Sequence, residues 1–552
     1  MSFLHLPIQR SEFGSAWADS LATLLVQLHE GQGGNRQHSI RLAGYVRDLC
    51  AALDHGHSCL YSEFFDRLAD YQSPIIVPVE QALQHIAPLV LEDKRLYLYR
   101  YWWDEYRLAQ AIKQLNRHIP STLADADLQQ LSVGTHPQQA QAIKVALQRG
   151  FTLITGGPGT GKTFTLVRIL IALLQQNSQL TVALAAPTGK AAARMQEALR
   201  QSLAQLPVAQ QLLKALPQTA FTLHRLLGMG HGTQPKFNAQ QPLPYDLIIV
   251  DEASMIDLRM ASQLVTAINP QARLILLGDA NQLAAVEAGA VLAELNKAQT
   301  LKNSRVHLTQ SQRFGGQIGQ LAEAVCRGDT LTVTQLIEQS SDELNYAPLE
   351  QVESLAKKLF IGYQAFAQAL KSKTDIVDLL KLFDDFRVLC AVREGSYGVN
   401  ALNQRLSLLL QKELAQNEDP LAVWYHGRPV MVTQNDYSLD VFNGDIGITL
   451  EEEDGFYVYF PARDTPTKRV SAARLAHSET ALALTIHKSQ GSEFKQVAVV
   501  LPKEELPILT RQLLYTGITR AKKQIQLWAL KPILLKTIEQ ETKRASGLHL
   551  KV

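Results

Sequence analysis

Short apolar blocks separated by amphipathic stretches set the rhythm of this chain. Residues 151–155, 181–186, 247–250 and 274–277 are runs of Val, Ile, Leu, Ala, Phe and Thr. Helically spaced segments such as 164–170 lie between them. Strands that are apolar at every position, rather than at alternate ones, predict a parallel sheet covered by helices on both faces. The same style returns at 387–392, 483–486 and 497–501, which predicts a second parallel sheet. Each block ends in a polar loop. In open parallel sheets ligands bind beyond the carboxyl ends of the strands, so these loops are expected to gather on one edge. The fold class is α/β.

The flanks differ in pattern. Residues 16–28 and 40–53 have helical apolar spacing and predict a helical N-terminal module reaching to about residue 115. Residues 95–103 start as an alternating strand and end in an aromatic cluster of Tyr97, Tyr99, Tyr101, Trp102 and Trp103. Such rings can stack bases, but they equally serve core packing or a protein interface, and the second use is favoured here. A polar stretch, 116–134, reads as a linker. About 425–475 the pattern changes to short alternating strands and turns, which predicts a small β-barrel inserted in the second sheet domain. The expected division is 1–115, 116–300 and 301–552, the first part binding a partner and separable from a motor that is complete without it.

Composition narrows the classes. At 552 residues the chain exceeds one core, and 46% hydrophobic with 19% charged residues is ordinary for a globular protein. No apolar run approaches the ~20 residues that span a bilayer. The first residues lack a signal-peptide pattern, and four scattered cysteines suit a reducing compartment, so a cytoplasmic location is expected. A net charge of +2 means that any polyanion must be held by a local groove. His55, His57 and Cys59 fit no standard zinc spacing and read as packing.

The chemistry centres on Gly156-Gly157-Pro158-Gly159-Thr160-Gly161-Lys162-Thr163, placed between a strand and a helix. Glycines let backbone N–H groups surround a polyphosphate, and the helix start adds positive charge. Lys162 is expected to reach the outer phosphates of ATP and Thr163 to ligate Mg2+. Gln139, on the helix leading into the loop, can read the adenine edge. Asp251, at the end of the strand 247–250, is the expected magnesium carboxylate, and Glu252 the general base. Gln282, after the next strand, can sense the outer phosphate and orient water.

These residues belong to an ordered set: Pro187-Thr188-Gly189-Lys190-Ala191-Ala192, Asp251-Glu252-Ala253-Ser254, Gly278-Asp279 with Gln282, Gln312-Arg313-Phe314, His487-Lys488-Ser489-Gln490-Gly491-Ser492-Glu493-Phe494 and Tyr515-Thr516-Gly517-Ile518-Thr519-Arg520-Ala521. Their order resembles the superfamily 1 helicase motifs over roughly 135–530. Within that superfamily the chain resembles the RecD family, alpha subunits of exodeoxyribonuclease V. The residues carrying this are Asn435-Asp436-Tyr437 with Phe442-Asn443-Gly444-Asp445-Ile446-Gly447, and Leu96 to Trp102 in the leading module.

The resemblance implies two RecA-like motor domains with ATP between them. Arg313 and Arg520 act as arginine fingers, and DNA is contacted through Thr188, His224 and His487. It also implies 5′-to-3′ movement on single-stranded DNA and action at duplex ends beside RecB- and RecC-like subunits in double-strand-break repair. Alternatives are a stand-alone RecD-like helicase, an assembly subunit whose ATP site is a switch, and a small-molecule kinase. A second sheet ending in an arginine motif argues against the last.

Overall fold

The structure is a computed structural model that describes residues 16–63, 65, 73–118, 135–204, 216–217, 219–230, 234–310, 316–416, 423–436, 438–462 and 466–552. Six parallel strands form its first large sheet, in the order Arg305–Leu308, Phe151–Gly156, Arg273–Gly278, Leu247–Val250, Val182–Ala186 and Ala220–Thr222. Alternation along the strands assigns the two faces. Phe151, Leu153, Ile248, Val250, Leu274 and Leu276 pack on one side, and Ile154, Leu184, Ile249, Ile275 and Leu277 on the other. Helices Pro137–Gln148, Lys162–Gln176 and Gly189–Ala204 cover the second face. With both faces dry, every strand position prefers an apolar residue, which is why the blocks read as continuous runs.

The first face is covered by the helices Leu258–Thr266 and Tyr99–Arg117. The latter brings Leu108, Ala109, Ile112 and Leu115 into the core of the sheet. The expected boundary at 115 therefore falls inside a helix that packs on the first motor sheet. The leading region is not purely helical. Helices Ala16–Gly31 and Arg36–Asp54 lean on a four-stranded sheet ordered Leu60–Tyr61, Arg95–Leu98, Leu89–Glu92, Ile76–Pro78. Tyr97 and Trp102 are fully buried there, while Tyr99, Trp103 and Tyr106 stack in a half-buried row with centroids 6.0 and 5.7 Å apart. Among the described residues no cluster of metal ligands exists, and His57 Nδ1 accepts a hydrogen bond from the Ala545 amide.

A second parallel sheet is ordered Leu344–Ala347, Ala521–Trp528, Phe494–Val500, Phe386–Cys390 and Ala483–Thr485. Between its strands Phe386–Cys390 and Ala483–Thr485 the chain makes five antiparallel strands, ordered Thr467–Ser471, Gly455–Pro461, Ile446–Glu452, Pro429–Val432 and Ser478–Thr480. The short 3-10 helix Ala472–Arg474 joins the strands Thr467–Ser471 and Ser478–Thr480. Among the described residues the two outer strands of the insertion do not pair with each other, so it is an open sheet by its hydrogen bonds and not a closed barrel.

After the helix Lys531–Glu539 of the second domain, the chain crosses back as a strap. Thr542 bonds to Gln512 and Thr510 of the second domain. Arg544 then donates to the carbonyls of Glu287 and Gly289, at 3.1 Å each, on the first domain. Leu548 and Val552 enter the first motor core. The anchor is Glu105, fully buried on the helix Tyr99–Arg117. It accepts from Ser58, from Ser546 at 2.7 Å, from the Gly547 amide, and from Lys551 Nζ at 2.8 Å. Burial alone would raise the Glu105 pKa; Lys551 and these hydrogen bonds more than offset it and hold the carboxyl below its ordinary 4.5.

A carboxyl depressed in this way stabilises the fold above its unfolded pKa and ceases to do so as pH falls through the folded value. E105Q leaves the buried Lys551 ammonium with Glu92 as its one remaining carboxylate, a loss below the about 3–5 kcal/mol of a buried pair broken outright. Faster amide exchange across residues 545–551 at neutral pH is the expected result, with the difference from the parent chain shrinking below the ordinary carboxyl pKa of 4.5. Unchanged exchange at neutral pH would show that the strap does not rest on this pair.

Candidate active site

The phosphate loop leaves the strand Phe151–Gly156 and enters the helix Lys162–Gln176. Gly161 has φ +82°, and a Cβ there would fall 2.4 Å from Gln139 Nε2, so only glycine fits the turn. Gln139 is buried, accepting from the His136 amide and donating to the Thr160 carbonyl at 3.4 Å. Its Nε2 props the loop from behind, while its Oε1 caps the start of its own helix. Thr160 Oγ1 donates to the Gly157 carbonyl at 2.8 Å, and Lys162 Nζ reaches the carbonyls of Gly156 and Gly157 at 2.6 and 3.0 Å. An ammonium at the mouth of a loop containing Gly156, Gly157, Pro158, Gly159 and Gly161 suits a polyphosphate. Thr163 lies in the first helical turn, partly exposed.

Asp251 follows the strand Leu247–Val250. Burial, then the neighbouring Glu252 carboxylate, raises its pKa to about 6, while Lys162 pulls the other way. A buried carboxylate still short of positive charge is chemistry that a divalent cation completes, so Asp251 and Thr163 fit magnesium. Glu252 has φ +53°, a strained left-handed conformation for a non-glycine residue, of the kind that clusters at functional sites. The strain turns the chain sharply after Asp251, whose Oδ1 accepts from the Glu252 amide at 2.8 Å. Gln282 donates from Nε2 to Asp279 at 3.1 Å, and its Oε1 is buried with no protein partner. An orphaned buried acceptor beside the phosphate loop is suited to a water or nucleotide donor.

The second domain closes over this edge. Tyr515 Oη donates to Asp279 Oδ2 at 2.8 Å, and the Leu283 amide donates to Thr516 Oγ1 at 2.9 Å. Gln490 Nε2 donates to the Leu283 carbonyl at 2.9 Å, and Arg194 of the first domain pairs with Glu493 of the second. Arg520 is buried, its guanidinium donating to the carbonyls of Thr516 and Ser492 at 3.1 and 3.0 Å. Burial lowers its pKa, an effect opposed by the charge of Glu252, which places the two groups in each other's field. Arg313 lies outside the described residues, as do Gln312 and Phe314.

The three candidate DNA contacts are distributed over both domains. Thr188 follows the strand Val182–Ala186, where its Oγ1 caps the next helix by accepting from the Ala191 amide. His224 is exposed on the turn after the adjacent strand Ala220–Thr222. His487 is half-buried in the second domain, on the segment whose Gly491 abuts Ala191. Burial and then Arg544 of the strap lower the His487 pKa, so a neutral ring is favoured. Sequence reasoning assigned no role to Asp279, Tyr515, Thr516, Arg194 or Glu493. All but Arg194 stand inside the quoted motifs, but their pairing across the cleft is non-local.

Comparison with known proteins identifies the family. Residues 139–288 match the family model described as an AAA domain, and 480–527 match the UvrD-like helicase C-terminal domain. The RecBCD enzyme subunit RecD of Mycobacterium tuberculosis is 39% identical over 472 residues, 84% of this chain and 80% of that protein. The chain belongs to the RecD family. The RecD subunit of Haemophilus influenzae is 35% identical over 534 residues, 85% of this chain and 82% of that RecD. A crystal structure of Bacteroides Pif1 bound to single-stranded DNA, at 16% identity, covers 71% of this chain and 91% of its own with a TM-score of 0.42. RecD-family membership accounts for the motif order and for the facing parallel sheets.

E252Q tests the division of labour at this edge. The variant is expected to bind a fluorescent nucleotide as the parent does, because no loop contact changes. Its turnover is expected to fall by about 100-fold or more, the scale of losing a general base. Joint loss of binding and turnover would make Glu252 a structural residue.

Proposed function

We propose that this chain is the ATP-driven 5′-to-3′ DNA motor of a RecBCD-type helicase/nuclease. It acts at duplex ends beside RecB- and RecC-like subunits in recombinational repair, and works in the cytoplasm. The observation that carries the reading is one cleft in which Lys162, Asp251, Glu252 and Gln282 of the first sheet meet Tyr515 and Arg520 of the second. A motor needs its hydrolytic site split between two bodies, so that hydrolysis changes their spacing.

In this reading Lys162 and the loop amides hold the outer phosphates, and Glu252 takes a proton from the attacking water. Gln282 Oε1 accepts the second hydrogen of that water and fixes its direction. Arg520, with Arg313, balances charge as the phosphoryl group leaves, a role that suits a planar guanidinium. Magnesium, held by Thr163 and Asp251, would neutralise the phosphate oxygens. Thr188 and His224 grip the strand from one domain and His487 from the other, so each closing and opening shifts the grips relative to one another. Among the described residues no helix is long and apolar enough to cross a membrane.

A protein partner is proposed at the leading region. Leu83 and Ile86 are exposed, and the hydroxyl of Tyr99 donates to the carbonyl of the neighbouring Ala82. Large apolar side chains beside half-buried rings suit an interface with a RecC-like subunit.

The parent chain is expected to hydrolyse ATP faster with single-stranded DNA present, and K162Q to lose that turnover by about 100-fold or more while keeping its melting temperature. Forked substrates with one free end then read direction, and unwinding from a 3′ overhang alone would contradict the polarity. ATPase indifferent to DNA would favour the switch reading. Separately, I86E is expected to keep DNA-stimulated ATPase and to stop co-purifying with RecB and RecC; full assembly by I86E would remove this surface as the docking site.

A further inference from the structure

Gln282 sits between two anchors supplied by the second domain. On one side Asp279 Oδ2 accepts both from Gln282 Nε2, at 3.1 Å, and from Tyr515 Oη, at 2.8 Å. On the other side the Leu283 backbone is held through its amide by Thr516 and through its carbonyl by Gln490, each at 2.9 Å. Asp279 is 1% exposed, and its other oxygen accepts from the Asn281 amide at 3.0 Å. The Tyr515 hydroxyl lies 3.0 Å from where a Cβ on Gly157 would stand, so it packs directly on the phosphate loop.

We infer that Tyr515 is a positioning residue for hydrolysis, aligning Gln282 across the cleft through its hydrogen bond to Asp279. The inference rests on the ATP-motor reading and adds to it a residue that touches both the phosphate loop and the carboxylate steering Gln282. Asp279 fixes the amide of Gln282 with its donor end occupied and its acceptor end, Oε1, turned free. An acceptor in that place orients the attacking water. Without the Tyr515 proton, Asp279 would be a buried carboxylate holding fewer donors, and Gln282 could exchange its two ends. Burial and the nearby Asp279 charge raise the Tyr515 pKa well above the ordinary tyrosine value, so the hydroxyl remains a donor at every working pH.

Because Tyr515 belongs to the second domain, the alignment exists only when the cleft is closed. Gln282 is thereby made competent by domain closure, which links the DNA grips to the chemistry.

Y515F removes the hydroxyl and keeps the ring. In the full chain it is expected to retain its melting temperature and to bind fluorescent ADP within about threefold of the parent. Its DNA-stimulated kcat is expected to fall about 10- to 100-fold with KM for ATP nearly constant, the range for a hydrogen bond to a charged group. Combined with Q282A, it should add almost nothing to the loss caused by Q282A alone, since both act through one alignment. A kcat for Y515F within twofold of the parent, or losses that multiply fully with Q282A, would overturn the inference. Lack of turnover in the parent chain, assayed alongside, would instead remove the motor reading on which it rests.

Discussion

A parallel sheet with both faces dry has only its strand ends to offer to chemistry. The first sheet is closed on one face by the helices of the phosphate-loop side and on the other by Leu258–Thr266 and Tyr99–Arg117. Lys162, Asp251, Gln282 and Thr188 therefore all stand after strands of that sheet, on one edge. The second domain must meet that same edge if it is to influence the nucleotide, and it does so with the helix Arg511–Ile518 and the segment 487–493. The phosphate loop, Asp251, Gln282 and Thr188 share an edge because the sheet leaves them no other place.

The electrostatics follow from that crowding. The chain as a whole is close to neutral, at +2, yet the cleft gathers Asp251, Glu493, Arg194 and the buried Arg520 within one another's fields. Charges taken out of water interact strongly and need partners. Arg194 is the hinge of the arrangement: it pairs with Glu493 across the cleft while feeling Asp251 and Glu252 on its own side. A change of charge beside Asp251 or Glu252 would thus reach the second domain through Arg194 and not through a loop.

What could be read from the residues was what is local. The central strands announce themselves because all their positions are apolar, and the phosphate loop because its chemistry lies within eight consecutive residues. The edge strands Arg305–Leu308, Ala220–Thr222 and Leu344–Ala347 escaped because an edge strand pairs on one side only and tolerates polar residues such as His307 and Asn345. Of the small N-terminal sheet only the strand Arg95–Leu98 was legible, at the start of 95–103, its other strands being two to four residues long. The packing of the helix Tyr99–Arg117 on the first sheet was not legible because the covering of a sheet face by a distant helix leaves no local mark. Glu105 shows the same limit. On the sequence it is one more helical glutamate, and only the arrival of Lys551 makes it a buried ion pair.

The strap has a kinematic consequence. A body joined to another by a single crossing of the chain can swing, twist and roll. The second domain is joined twice, once where the chain leaves the strand Arg305–Leu308 and again where Arg544 and the residues after it seat on the first domain. Two attachments leave rotation about the line between them and suppress the rest. Any opening of the cleft would then be a turn about that line, and it would carry Tyr515 and His487 on arcs rather than along free paths.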